Sequence, residues 1–253
     1  MRGPAVPFVC LLVVAAGCVA PTGQSGPPPG LSTDDVTDTN ALIRAHTDAL
    51  DDQPFTVRST TTMRPRSGNY TVVSNRTWRV APGDPIRGTV VSRRDAVGDP
   101  PERVAAGPDS VAAWRDGATT YRRVRRNGTS AYGRVPLFDS PVKLNAALQR
   151  TRLYRLSTRR NATVEPVLRD GRRRYRVTAA LNDTAVASNG SLTLLIDADG
   201  VVRRLESERT VRYRDGKRDL STTVRITGVG TTTVEHPDWY GAATESARNG
   251  TAG

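Results

Sequence analysis

The residue best placed to do chemistry in this chain is Cys18. It follows Val13-Val14-Ala15-Ala16-Gly17, where small side chains give a signal peptidase its grip and the thiol can be alkylated with a lipid. Met1 and Arg2 supply a minimal positive start and Val6 to Ala16 an apolar core, interrupted at Pro7 and too short for a span of ~20 residues. This layout predicts a lipoprotein signal peptide over residues 1–17, removed before a lipidated Cys18. The second of the two cysteines, Cys10, leaves with it, so the folded part has no disulfide and no Cys-based metal site.

The rest of the catalytic inventory is thin. His46 and His236 are the two histidines, and neither has a metal-ligand partner at suitable spacing. No nucleophile-elbow motif frames a serine, and there is no Gly-rich phosphate loop. Asp34, Asp35 and Asp38 lack the spacing of a calcium loop and read better as a helix entry. Asp197-Ala198-Asp199-Gly200 lacks the remaining calcium ligands and reads as a hairpin turn. No catalytic residue, metal or cofactor is therefore expected, and the protein is not expected to be an enzyme.

Binding is better represented. The chain has 37 basic and 25 acidic residues, a formal charge of +12, and only Lys143 and Lys217 are lysine. Arginines cluster at 122–126, 172–176 and 203–204. On strands, consecutive residues point to opposite faces, so each cluster is either a solvated surface or an anion-binding wall. Seven of the nine asparagines head Asn-X-Ser/Thr sequons. Asn69, Asn75, Asn127, Asn161, Asn182 and Asn189 are candidate glycosylation sites, with Asn249 in the tail. A basic chain would ordinarily suggest nucleic acid, but an exported one does not meet the genome. Anionic headgroups or acidic surface glycans are the expected partners, alongside the membrane reached through the anchor.

These residues need a scaffold. Residues 18–31 are Pro- and Gly-rich and read as a tether, followed by a single domain over 32–240 and a flexible small-residue tail over 241–253. Asp38 opens an apolar stripe at Ala41, Leu42, Ala45, Ala49 and Leu50, which predicts a helix near 38–51. A second helix is predicted over 141–155. Elsewhere the period is two: Phe55, Val57 and Met63, then Tyr70, Val72, Trp78 and Val80, take one side of successive strands. Tyr175, Val177, Ala179 and Leu181, then Leu192, Leu194 and Ile196, then Val211 and Tyr213, then Leu220, Val224 and Ile226 repeat the pattern. Asp116-Gly117, Asn127-Gly128, Asp170-Gly171, Asp199-Gly200 and Asp215-Gly216 punctuate them as hairpin turns. The class is α+β, dominated by antiparallel sheet.

The Arg-over-Lys and Asp-over-Glu bias resembles that of proteins of extremely halophilic archaea. With the lipobox, the tether, GLSTDDVTDTNALIRAHTDAL at 30–50 and LLIDADGVVRRLE at 194–206, the chain resembles a family of haloarchaeal surface lipoproteins. The pattern of strands with two helices is also similar to the carrier fold of LolA and the LppX-type lipoproteins. That resemblance implies a curved antiparallel half-barrel with helices over its concave face, enclosing an apolar cavity. Val57, Val72, Trp78, Val177, Leu192, Leu194, Ile196, Val224 and Ile226 would then line a site for a lipid or other apolar ligand. Two functions follow: a non-catalytic, lipid-anchored protein that contacts other envelope components at the outer face of the cytoplasmic membrane, or an apolar-ligand carrier.

Overall fold

The computed structural model describes residues 26–83, 86–136 and 139–249. Cys18, the expected signal peptide and most of the expected tether lie outside the described residues. Where apolar and polar residues alternate, the backbone is extended in eleven strands. These are β1 (Phe55–Pro65), β2 (Tyr70–Ala81), β3 (Arg87–Gly98), β4 (Ser110–Asp116), β5 (Thr119–Arg126), β6 (Thr129–Val135), β7 (Arg159–Arg169), β8 (Arg172–Leu181), β9 (Ala187–Asp197), β10 (Val202–Tyr213) and β11 (Gly216–Thr227).

They form one open antiparallel sheet in the order β6-β5-β4-β3-β2-β1-β11-β10-β9-β8-β7. Strands adjacent in sequence pair with one another except β6 and β7, which form the two edges, and at the centre β1 pairs with β11. Asn127-Gly128 (φ 49° and 79°) and Asp170-Gly171 (φ 52° and 71°) supply the two successive positive φ angles that tight hairpin loops need. The edge strand β7 carries Pro166, which has no N–H to offer a further strand.

Register places Val57, Trp78, Val90 and Ala113 on the same face as Val164, Val177, Leu194, Leu205 and Val224. Ala113 on β4 and Val164 on β7 are eight strand spacings apart, which on a flat sheet is about 38 Å. Both belong to one contiguous core, so the sheet curls around what packs on this inner face.

Helix α1 (Thr39–Asp51) packs there. Asp38 caps it, its Oδ1 accepting from the N–H groups of Asn40 and Ala41 at 2.8 and 3.0 Å. Leu42, Ile43 and Leu50 are buried in the core. The chain joins the fold earlier than residue 32: Pro28 is buried, and Leu31 forms a β-bridge with Val36. Gly30 has φ +85°, and a Cβ there would lie 2.2 Å from the Asp38 carbonyl oxygen.

The helix expected over 141–155 is broken. After the one-turn α2 (Glu102–Ala105) between β3 and β4, the chain forms α3 (Leu144–Ala147), α4 (Arg150–Leu153) and a 3₁₀ turn (Tyr154–Thr158). Gln149 sits between α3 and α4 at φ 56°, its Nε2 donating to the Ala146 carbonyl. Val142, Ala147, Leu148, Leu153 and Leu156 are all buried. A straight helix could not turn every one of them onto a curved sheet, so packing overrides the local periodicity.

The tail is likewise corrected. Residues Tyr240–Asn249 form helix α5, which packs on β5 and β6. Ala112, Trp114, Trp239 and Ala243 make a second, smaller core on the outer face.

Candidate functional site

The inner face brings together the residues expected to line an apolar cavity. Val57, Trp78, Val177, Leu192, Leu194, Ile196, Val224 and Ile226 all belong to the main core, at no more than 4% exposure. Val72 is equally buried but stands apart from that core. The expected hollow is filled: α1, α3, α4 and the 3₁₀ turn supply Leu42, Ile43, Ala147, Leu148, Leu153 and Leu156 against the sheet. Packing at close to crystalline density gives each of these side chains a protein neighbour.

His46 is one of the fasteners of this closure. It is fully buried on α1, with Nε2 bonded to the Leu148 carbonyl at 3.1 Å and Nδ1 accepting the Val202 N–H at 3.2 Å. The neutral ring satisfies both partners. Burial holds its pKa down to about 4, against a raising influence from the Leu148 carbonyl. It therefore joins α1, α3 and β10, with neither nitrogen left to act on a substrate.

The outer face is where polar chemistry reaches solvent. All six candidate glycosylation asparagines and Asn249 are exposed. Asn75 accepts a bond from Thr60 Oγ1 through its side-chain oxygen at 2.8 Å, which leaves its amide nitrogen outward. His236 lies between Trp114 and Tyr240, with ring centroids 4.8 and 4.6 Å away, and serves the second core. Arg123, from the first arginine cluster, lies over the Trp239 ring at 5.6 Å.

The other two arginine clusters converge. At one end of β7–β11 an open groove of about 1240 Å³ is lined by Arg169, Arg172, Arg173, Arg174, Arg203, Arg204 and Arg225, against Asp170, Asp197 and Asp199. Several of these charges are already paired: Arg203 with Asp197 at 2.6 Å, Arg174 with Asp170 at 3.3 Å, and Arg204 with Glu206. Arg169 and Arg225 were not singled out from sequence, because each is one arginine in an alternating strand; register on β11 sets Arg225 opposite Arg204.

Among the described residues, no group of three or more His, Cys, Asp or Glu side chains is arranged to hold a metal ion. Among them also, no helix is long and apolar enough to cross a membrane.

No protein-family model and no curated protein matches the sequence. Among solved structures the chain is similar to LprF from Mycobacterium bovis, at 13% identity over 81% of this chain and 99% of that one, with a TM-score of 0.44. It is similar to a DUF1329 family protein from Desulfovibrio piger, at 11% identity over 82% and 97% of the two chains, with a TM-score of 0.29. A domain assigned to outer membrane lipoprotein sorting, from Vibrio parahaemolyticus, is 7% identical over 82% and 99%, with a TM-score of 0.28. At such identities the likeness concerns fold, and function is read from this chain's own side chains.

Proposed function

We propose that this is an exported, lipid-anchored, non-catalytic binding protein whose outer arginine groove contacts anionic headgroups of the membrane that holds it. The observation that carries this is the groove itself: seven arginines face three aspartates around an open volume, while the apolar inner face is closed. Guanidinium forks suit phosphate oxygens. Nine residues lie between Cys18 and Pro28, the first buried residue among the described ones, so the ten Cα steps reach about 34 Å when extended. A domain on such a tether stays within contact of the lipid surface.

Two experiments test the reading. Replacing Cys18→Ser should release the domain or leave the precursor uncleaved; a cleaved variant that stays on the membrane would overturn the anchor. Vesicles of phosphatidylglycerol should sediment the purified chain at low salt and vesicles of phosphatidylcholine should not. Arg172→Gln with Arg225→Gln should weaken that binding about thirtyfold, at roughly 1 kcal/mol for each cation near the surface. Binding that this pair leaves unchanged rules the groove out, and binding to sulfated polysaccharide alone moves the partner to glycan.

A second reading, an apolar-ligand carrier, is favoured by one observation. The cover over the main core includes three short pieces, α3, α4 and the 3₁₀ turn, hinged at a left-handed Gln149. If that cover lifts, the apolar face becomes a lipid site. Mass spectrometry of organic extracts from natively purified chain should then show stoichiometric lipid, and a clean extract removes this reading.

A further inference from the structure

Beyond the outer groove, the inner face carries a second set of arginines at the edge of its helical cover. Four adjacent strands contribute one hydroxyl each to a row across the sheet: Ser74 on β2, Thr61 on β1, Thr222 on β11 and Ser207 on β10 are successive cross-strand partners. The register sets them on the same face as Trp78, Val57, Val224 and Leu205. Thr222 and Ser207 are buried, and the Thr61 and Thr222 hydroxyls lie 3.1 Å apart.

Arginines flank this row. Arg76 lies two residues beyond Ser74 on β2, and Arg209 two residues beyond Ser207 on β10. Arg152 from α4 and Arg155 from the 3₁₀ turn, three residues apart, come from the cover above. Arg155 Nη1 reaches Ser207 Oγ at 3.5 Å. Arg152 feels the like charges of Arg209 and Arg76, and Arg155 those of Arg209 and Arg152. Burial first, and then these neighbours, press the Arg155 pKa down to about 10.

Among the described residues, none of the four takes part in an ion pair with a carboxylate. Arg152 donates to the side-chain oxygen of Gln149, and Arg76 stacks over the Trp78 ring at 5.3 Å. Trp78 Nε1 is itself buried without an acceptor. Donors outnumber acceptors here, and arginine cannot shed its charge to relieve the repulsion. The missing component is a compact anion with several acceptor oxygens.

We propose that Arg76, Arg152, Arg155 and Arg209, above the Ser74–Thr61–Thr222–Ser207 row, bind a tetrahedral oxyanion of the phosphate or sulfate class. Guanidinium forks and hydroxyl donors together match its oxygens. The next row on the same face is apolar across β2, β1 and β11, at Val72, Met63 and Leu220, and ends on β10 at Arg209. The anion is thus either free or the head of an amphiphile whose chain lies along that row.

The test is thermal unfolding of the purified chain with inorganic phosphate, inorganic sulfate or a monoacyl glycerophosphate. A ligand held by the folded state raises Tm in proportion to the logarithm of its concentration above Kd. Arg152→Gln with Arg155→Gln should abolish the rise, whereas Arg172→Gln with Arg225→Gln in the outer groove should keep it. Because removing like charges relieves repulsion, the inner pair should fold at least as stably as the parent without ligand; Arg209→Gln, on β10 and not itself part of the cover, should also diminish the rise. A monoacyl glycerophosphate effective at tenfold lower concentration than phosphate assigns the site to a lipid head, and equal potency assigns it to a free oxyanion. No rise in the parent chain, or an equal rise in the inner pair, overturns the proposal.

Discussion

The two faces of the sheet treat arginine differently. In the outer groove the carboxylate partners are close in sequence: Asp170 lies four residues from Arg174, Asp197 six from Arg203, and Glu206 two from Arg204. A hairpin that delivers a guanidinium to the groove therefore delivers its counter-charge as well. On the inner face Arg76, Arg152, Arg155 and Arg209 come from three distant stretches, and their meeting is a product of register and of the cover that lies over it. Local sequence neutralises the first region, and tertiary structure concentrates charge in the second. Removing a charged side chain should accordingly have opposite effects in the two places.

The largest expected effect lies behind the outer groove. His46 feels the Asp197 and Arg203 charges, and its folded pKa of about 4 is below its ordinary value of 6.5. The unfolded chain binds the extra proton first, so stability is complete above about pH 6.5 and falls as the pH drops towards 4. The loss is about 3 kcal/mol, at 1.36 kcal/mol per pKa unit. Urea midpoints between pH 7 and 4.5 should show it, and His46→Gln should flatten the slope. A slope unchanged in that variant would detach His46 from the stability of the groove wall.

Next in size is the outer pair. Asp197 accepts from the Val201 N–H at 2.8 Å and from Arg203 Nε at 2.6 Å, with its side chain 15% exposed. Asp197→Ala leaves both donors short of an acceptor and should cost about 2 kcal/mol in chemical denaturation. The smallest effect has the opposite sign: Arg155→Gln on the inner face should raise Tm by about 1–2 °C in anion-free buffer. A drop there would mean that Arg155 is held by its contact with Ser207 rather than strained by its neighbours.

Much of this architecture was legible in the sequence. Period-two alternation assigned the inner faces of β1, β2, β8, β9 and β11, since a half-buried strand has only two sides to offer. The Asp38 cap was legible because capping is local. The break at Gln149 was not: a left-handed glutamine is set by the need to bury Leu148 and Leu153 together on a curved surface. Helix α5 was missed because Ala243 is a weak hydrophobic signal until Trp239 and the outer face of β4 are in place. The outer groove was half legible, through runs of arginine at 172–176 and 203–204. The inner arginines were invisible because the three stretches that carry them are far apart in sequence.

The pairing of β1 with β11 has a kinetic consequence. Thr56 and Thr227 are partners about 170 residues apart, whereas every other strand pairing can close as a connection between consecutive elements. The sheet is two wings, β1–β6 and β7–β11, and each can zip up from its own turns while the seam waits for a large loop to close. The hydroxyl row between the inner arginines crosses that seam. The inner arginines meet, and an anion that answers them can bind, only once that seam has closed. An oxyanion present during refolding should therefore slow unfolding and leave the formation of the wings untouched.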